Sequence, residues 1–255
     1  YYFHIINSKF LSLFLPITIL IVWFVIAKLR IFSSAILPNI GQVIESFVNQ
    51  LTSGQLINDI LTSFIRVIQG YLIAVILGVF LGVLMGINKN INSFFYLTLT
   101  SIRQIPMLAW IPLIVLWFGI GETSKIIVIV LAAFFPILIN TISGIKSTDP
   151  KLIEVGKMYN LSKLKLFIKI YLPSAIPSIF VGLKLGLGVS WMAVVGAEII
   201  AATSGIGYRI NDARSLMQPE VVFVGMIVIA IIGLLMEQIL NRISKILTPW
   251  MNKKA

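Results

Sequence analysis

The side chains able to do acid–base, nucleophilic or metal chemistry are few and scattered. The chain has a single histidine, His4, and no cysteine among its 255 residues. The lack of cysteine removes disulfides, thiolate metal sites and cysteine nucleophiles. One histidine near an end leaves almost no room for a histidine metal site or a Ser-His-Asp triad, and no metal site is expected. The scattered acids offer no paired carboxylates for an intramembrane enzyme. No Gly-x-x-x-x-Gly-Lys-Ser/Thr run occurs, so nucleotide phosphates must be bound by another chain. What remains is charge in unusual places. Arg66, Arg103, Lys184 and Glu198 lie within or beside long apolar stretches, and a basic insert, "LIEVGKMYNLSKLKLFIKIYLP", runs from Leu152 to Pro173.

The elements that hold these residues must be membrane helices. The sequence is 58% hydrophobic and only 11% charged, with a mean hydropathy of +1.02, whereas a soluble domain carries about a quarter charged residues. A crossing helix needs roughly 20 apolar residues. Six stretches qualify: about Phe10–Leu29, Ser63–Ile87, Phe94–Phe118, Ser124–Ile142, Ile179–Ala202 and Val221–Leu240. The first is read as a retained membrane helix, since no small-residue cleavage site clearly follows it. Backbone groups in lipid must be satisfied internally, so the fold class is all-α. With both ends placed in the cytoplasm, the inside segments hold twelve Lys and Arg and the outside segments five. The positive-inside rule then makes the chain a multi-pass protein with both termini cytoplasmic. The net charge of +11 is explained by those loops, and no nucleic-acid partner is expected.

Glycines recur every four residues at Gly78, Gly82 and Gly86, and again at Gly182 and Gly186. Such spacing lets helices approach closely, either as a sliding interface or as static packing. Pro106 and Pro112 interrupt the third span and Pro136 the fourth. The basic insert reads as two short helices. Asp149-Pro150 starts the first. Leu152, Val155, Gly156 and Tyr159 form its apolar stripe, and Asn160 stops it because asparagine tolerates the left-handed conformation. Ser162 caps the second helix, which runs to Pro173. Spacing alone leaves two roles for the amphipathic helix, lying on lipid or docking into a partner's groove.

Ionisable groups at membrane depth are functional candidates. Arg66 and Lys184 sit near span ends and are expected to snorkel to the headgroups. Arg103 is deeper, beside the proline-broken segment, where it could pair with Glu198 or a carbonyl, or attract an anion. Glu198 is read mainly as a structural partner. Arg103, Met107, Trp110, Trp191, Met192 and Glu198 make up the candidate pathway set. The tryptophans and methionines are more often packing residues than pathway linings.

The residues also resemble a known family. Glu154-Val155-Gly156, Asn160 and Ile170-Tyr171-Leu172-Pro173 have the spacing of the "EAA" loop of ABC importer permeases, with Val-Gly in place of Ala-Ala and Asn160 in place of a glycine. "PMLAWIPLIVLWFGIGETSK" (Pro106–Lys125), "WMAVVGAEIIAATSGIGYRINDAR" (Trp191–Arg214) and "VVFVGMIVIAIIG" (Val221–Gly233) resemble permeases of the nitrate, sulfonate, taurine and bicarbonate branch, the first two looking closest to aliphatic sulfonate and taurine members. The resemblance covers roughly 56–247.

It implies six transmembrane helices in the type I ABC importer permease fold, in a bacterial cytoplasmic membrane. Residues 1–55 would hold the first helix and an extracytoplasmic connection, 56–247 the transmembrane domain with a coupling loop at 144–175, and 248–255 a cytoplasmic tail. Glu154, Val155, Gly156, Asn160 and Pro173 would belong to the coupling element. The implied partners are a second permease chain, expected to be a second copy, two cytoplasmic ABC ATPase subunits, an extracytoplasmic binding protein and membrane lipid. ATP and magnesium would sit on the ATPase, so this chain would bind no cofactor and be no enzyme. The implied cargo is a small anion such as an alkanesulfonate or taurine, with nitrate, bicarbonate or a vitamin precursor as alternatives. A secondary transporter or channel without an ATPase is the competing class, but no internal repeat or selectivity filter stands out.

Overall fold

The computed structural model describes residues 2–29 and 31–247, with side chains for 14–29 and 31–246. The expected tail 248–255 and the side chain of His4 lie outside the described residues. All described elements are helical: α1 (Tyr2–Lys28), α2 (Ile40–Thr52), α3 (Gln55–Ile87), α4 (Lys89–Gln104), α5 (Met107–Phe118), α6 (Glu122–Lys146), α7 (Pro150–Met158), α8 (Lys163–Leu166), α9 (Leu172–Ala201), α10 (Ile206–Ser215) and α11 (Pro219–Leu247). A π-helical turn, Phe167–Tyr171, joins α8 to α9.

Four runs are long and apolar enough to cross a membrane: Gln55–Ile87, Glu122–Lys146, Lys163–Ala201 and Pro219–Ile246. The pair α4 and α5 can make a fifth, and Phe14–Lys28 of α1 is a shorter apolar helix. The third span, expected to be interrupted by proline, is two helices bent by 98°. The break falls at Ile105-Pro106. A residue before proline is pushed out of the helical region, and Ile105 is extended at φ −76°, ψ 122°. Pro112 and Pro136, also expected to interrupt their spans, lie inside α5 and α6 without ending them. Pro136 even contributes its carbonyl, which accepts from Asn140 Nδ2 at 2.8 Å.

The chain forms two compact units. One gathers the chain up to Asn58 with Arg209–Val228, and the other Asp59–Tyr208 with the chain from Ile229. In the larger unit α6 is the central helix. Helices in lipid gain little from hydrophobic burial against each other, so close packing between small residues decides association. Gly70, Gly78, Gly82 and Gly86 of α3 lie against Ile129, Ile137, Thr141 and Ile145 of α6. The register advances together, so α3 and α6 run parallel. A Cβ on Gly82 would sit 2.7 Å from Thr141 Cβ. On the other side Gly182 and Gly186 of α9 meet α6 near Pro136–Asn140 and Ala133–Ile137, and Gly144 of α6 meets Ala175 and Ser178, an antiparallel pairing. The four-residue glycine repeats are thus consumed in close packing within the subunit. Tyr71 Oη of α3 donates to the Leu183 carbonyl of α9 at 2.9 Å and ties the two flanking helices together. Large apolar residues such as Leu72, Ile76, Phe80, Val181, Leu185 and Leu234 stay exposed on the outer faces, as a lipid solvent requires.

In the smaller unit Trp23 stacks on Phe223, with centroids 4.9 Å apart, and its Nε1 donates to the Pro38 carbonyl at 3.0 Å. The stretch 31–62, expected as a connection, contains α2. Its apolar residues Ile40, Val43, Ile44, Phe47, Val48 and Leu51 recur at helical spacing. Of these Val43 is buried, while Ile44, Phe47, Val48 and Leu51 stay exposed.

Candidate functional site

Three features of the larger unit carry the expected site residues. The first is the basic insert. Asp149 caps α7 by accepting from the Lys151 amide at 2.8 Å, with Pro150 in the first turn. Asn160 takes the left-handed conformation, φ 51°. The Asn160 amide donates to Lys157 O and the Leu161 amide to Gly156 O, the paired bonds of a Schellman cap. Asparagine therefore does a glycine's work here. Ser162 Oγ accepts from the Lys165 amide at 3.4 Å and starts α8. The second helix does not stop at Pro173, as expected. It passes through the π-turn into α9, because a proline in the first turn of a helix loses no bond.

Gly156 is buried, and a Cβ there would lie 2.6 Å from the methyl ends of Leu166 and Ile170. The close approach expected against a partner is thus made within this chain. α7 is pinned to α8 and the π-turn at Gly156, but the rest of the expected apolar stripe is bare. Leu152, Val155, Met158 and Tyr159 are exposed, the last two by about four-fifths, and Glu154 lies exposed among them. Pro173 lines a cleft beside this helix with Leu152, Lys169 and Ile170.

The second feature is a buried charge cluster that corrects the reading of Arg66. Arg66 does not snorkel; its side chain is 3% exposed. Nε and Nη2 donate to the two carboxylate oxygens of Glu122, each at 2.6 Å. Nη1 donates to Glu198 Oε1 at 2.7 Å and to Ser204 O at 2.8 Å. Nη2 also donates to Ser204 Oγ at 3.0 Å. All five guanidinium N–H groups are therefore used. Glu198, fully buried, further accepts from Ser63 Oγ and the Gly207 amide, while Ser63 Oγ accepts from the Ile206 amide. The Gly205 amide donates to Asp59 Oδ1 at 3.2 Å. Gly205 has φ +105°, and any side chain there would strike the Glu198 carboxylate. Lys125 is 3% exposed and bonds Glu122 at 3.1 Å. Glu122 opens α6, where the helix dipole favours an acid.

The third feature is a groove between α4 and α6. A cavity of about 280 Å³ is lined by Asn92, Tyr96, Thr100 and Arg103 of α4 and by Ser143 and Lys146 of α6, among apolar neighbours. A second, of about 410 Å³, continues past Arg103 to Pro106, Met107 and Trp110. Both include Arg103, Phe135 and Ile139. Neither is lined by a carboxylate. No group of three or more metal-binding side chains occurs among the described residues.

Comparison with known proteins fits this geometry. Residues 74–253 match the family model described as binding-protein-dependent transport system inner membrane component. The chain belongs to this family of ABC importer permeases. A Bacillus subtilis protein named as an aliphatic sulfonates transport permease is 37% identical over 241 residues, 94% of this chain and 87% of its own length. The taurine transport system permease protein of Escherichia coli is 35% identical over 237 residues, 91% and 86% of the two chains. The fold matches a solved amino acid ABC transporter crystallised with histidines, with a TM-score of 0.63 at 18% identity, over 79% of this chain and 96% of that one. The permease thus has the type I fold and is a multi-pass membrane transport subunit.

Within the permease the candidate pathway set divides. Arg103, Met107 and Trp110 share the groove. Glu198 does not pair with Arg103, because Arg66 takes its carboxylate. Trp191 is buried and donates Nε1 to Ile229 O at 2.9 Å, a packing role. Met192 is 75% exposed and lines neither cavity. Lys184 lies midway along α9, half-buried. Sequence reasoning missed Arg66, Glu122 and Ser63 as a unit. The signal was present: Glu122 directly follows Gly119-Ile120-Gly121, Glu198 precedes Gly205-Ile206-Gly207 by seven residues, and a deep arginine demands a counter-ion.

Proposed function

We propose that this permease subunit carries a small oxyanion of the alkanesulfonate or taurine class, handed over by an extracytoplasmic binding protein. Two permease chains enclose the path, and two ATPase chains with ATP and magnesium drive it. The loop 144–175 is the coupling element, through Glu154, Val155, Gly156, Asn160 and Pro173, and the termini face the cytoplasm. One observation carries the reading. α7 is capped at both ends and packed at Gly156, yet bares Leu152, Val155, Met158 and Tyr159 around it. Four large apolar residues on a short loop helix form the kind of face that docks into a groove. Glu154 and Gly156 then act differently from one another. Glu154 is free to bond a partner, while Gly156 sets the angle at which α7 is presented.

For the cargo, the relatives' printed names and the carboxylate-free groove point the same way. The test is reconstitution of the complex with its binding protein in proteoliposomes. ATP-dependent uptake of taurine or ethanesulfonate is expected. Uptake of nitrate or bicarbonate instead would replace the cargo, and uptake without ATP would overturn the class.

A further inference from the structure

We propose that Arg103 is an anion-binding station in the α4–α6 groove, assisted by the hydroxyl of Thr100, with Lys146 a second cation toward the other end of the same cavity. The proposal deepens the anion-transport reading and rests on it. Arg66 and Arg103 of the larger unit are treated oppositely. Arg66 is enclosed by Glu122 and Glu198. Arg103 makes no ion pair among the described residues and borders both cavities. A charge at membrane depth without a counter-ion is costly and marks a solute path or water-filled cavity. Lys146 supplies a second cation to the smaller cavity, bonded only to the neutral Asn92 Oδ1 at 3.2 Å.

The chemistry suits an oxyanion with several equivalent oxygens. A guanidinium offers a planar fork to two oxygens, and a hydroxyl serves a third. A volume of about 280 Å³ falls just under the roughly 300–1,000 Å³ of ligand pockets and suits a small solute. The wall is otherwise apolar, with Met85, Leu138 and Ile142, which keeps the site weak enough to release its ion. Arg103 lines both cavities, so an ion in either one meets it. The same chemistry would hold a phosphate headgroup of lipid, and the experiment separates the two.

The permease has no cysteine, so Leu99→Cys, on the groove wall, places one thiol there. Full-length permease in its complex is placed in phosphatidylcholine nanodiscs. It is labelled with anionic 2-sulfonatoethyl methanethiosulfonate and with the cationic trimethylammonium-ethyl analogue, each rate normalised to a free thiol. An unpaired cation in a partly dehydrated groove should favour the anion by about tenfold. Arg103→Gln should bring the ratio close to one, Arg103→Lys should keep most of it, and millimolar ethanesulfonate should slow the anionic reagent. Equal rates in the parent, a preference that survives Arg103→Gln, or no labelling by either reagent would overturn the station. If phosphatidylglycerol blocks the anionic reagent and ethanesulfonate does not, the occupant is a lipid headgroup and the solute station is refuted. Sulfonate uptake measured on the same preparation keeps the readings apart. Uptake without the charge preference refutes the station alone, and preference without uptake refutes the cargo alone.

Discussion

Replacing Glu198 by alanine should cripple the folded permease, although the residue is far in sequence from the coupling loop. Its side chain is fully buried and accepts from Arg66, Ser63 and the Gly207 amide. Removal of one partner of a buried ion pair costs about 3–5 kcal/mol, because the other charge is left behind. Glu122 still holds Arg66 from one side, and its side chain is 59% exposed, so the loss sits toward the lower figure. The orphaned Gly207 amide and Ser63 hydroxyl each add about 1 kcal/mol or more, since the Ser204–Gly207 turn hangs on these bonds. A total near 5 kcal/mol is expected. At roughly 2–4 °C per kcal/mol for a chain of this size, thermal unfolding in detergent should fall by about 10 °C or more. Glu198→Gln keeps an oxygen for the amide and hydroxyl but turns a charge-assisted bond into a neutral one, and should fall about half as far. The assay is light-scattering or tryptophan-fluorescence melting beside Lys146→Gln, which should change little. If Glu198→Ala melts within 2 °C of the parent, the cluster does not hold the turn and the energetic reasoning fails.

Three further outcomes follow from the packing. Gly82→Ala should destabilise by about 1–3 kcal/mol, because Thr141 is β-branched and cannot swing aside. Gly188→Ala, with nothing within 4 Å of the new Cβ, should be neutral or stabilise by up to about 1 kcal/mol; equal melting shifts would refute the glycine-packing account. Asn160→Gly should leave ATPase association unchanged, whereas Asn160→Val should weaken it, since a β-branched residue at φ 51° costs roughly 1–2 kcal/mol; pull-down from membranes distinguishes them. For orientation, Ser53→Cys should react with an impermeant thiol reagent in intact cells and Lys163→Cys should resist it, and the reverse order would invert the topology.

What the sequence made legible follows the range of the interactions. The caps of α7 and α8 were readable because Asp149, Asn160 and Ser162 act on amides one to three residues away. The 98° break was readable at Pro106 because proline restricts its own neighbour. Pro112 and Pro136 misled because helices in a packed membrane bundle tolerate the lost bond. The glycine repeats announced close packing but not its partner, since nothing local says that Gly78 meets Ile137 on the same chain. The Arg66 cluster joins residues 56, 132 and 138 positions apart, so it was invisible to periodicity. α2 was overlooked because its stripe of Ile40, Val43, Ile44, Phe47, Val48 and Leu51 sits among Pro38, Asn39 and Gly54, which read as breakers.

The central claim, that the bare face of α7 is where the ATPase engages, is tested most directly by placing charge on it. Val155→Asp with Met158→Asp leaves the buried Gly156 contact and the Asn160 cap untouched. The account predicts normal membrane insertion and an unchanged melting temperature, with the ATPase absent from the purified complex and ATP-driven uptake lost. A doubly substituted permease that co-purifies with its ATPase and transports at the parental rate would contradict it.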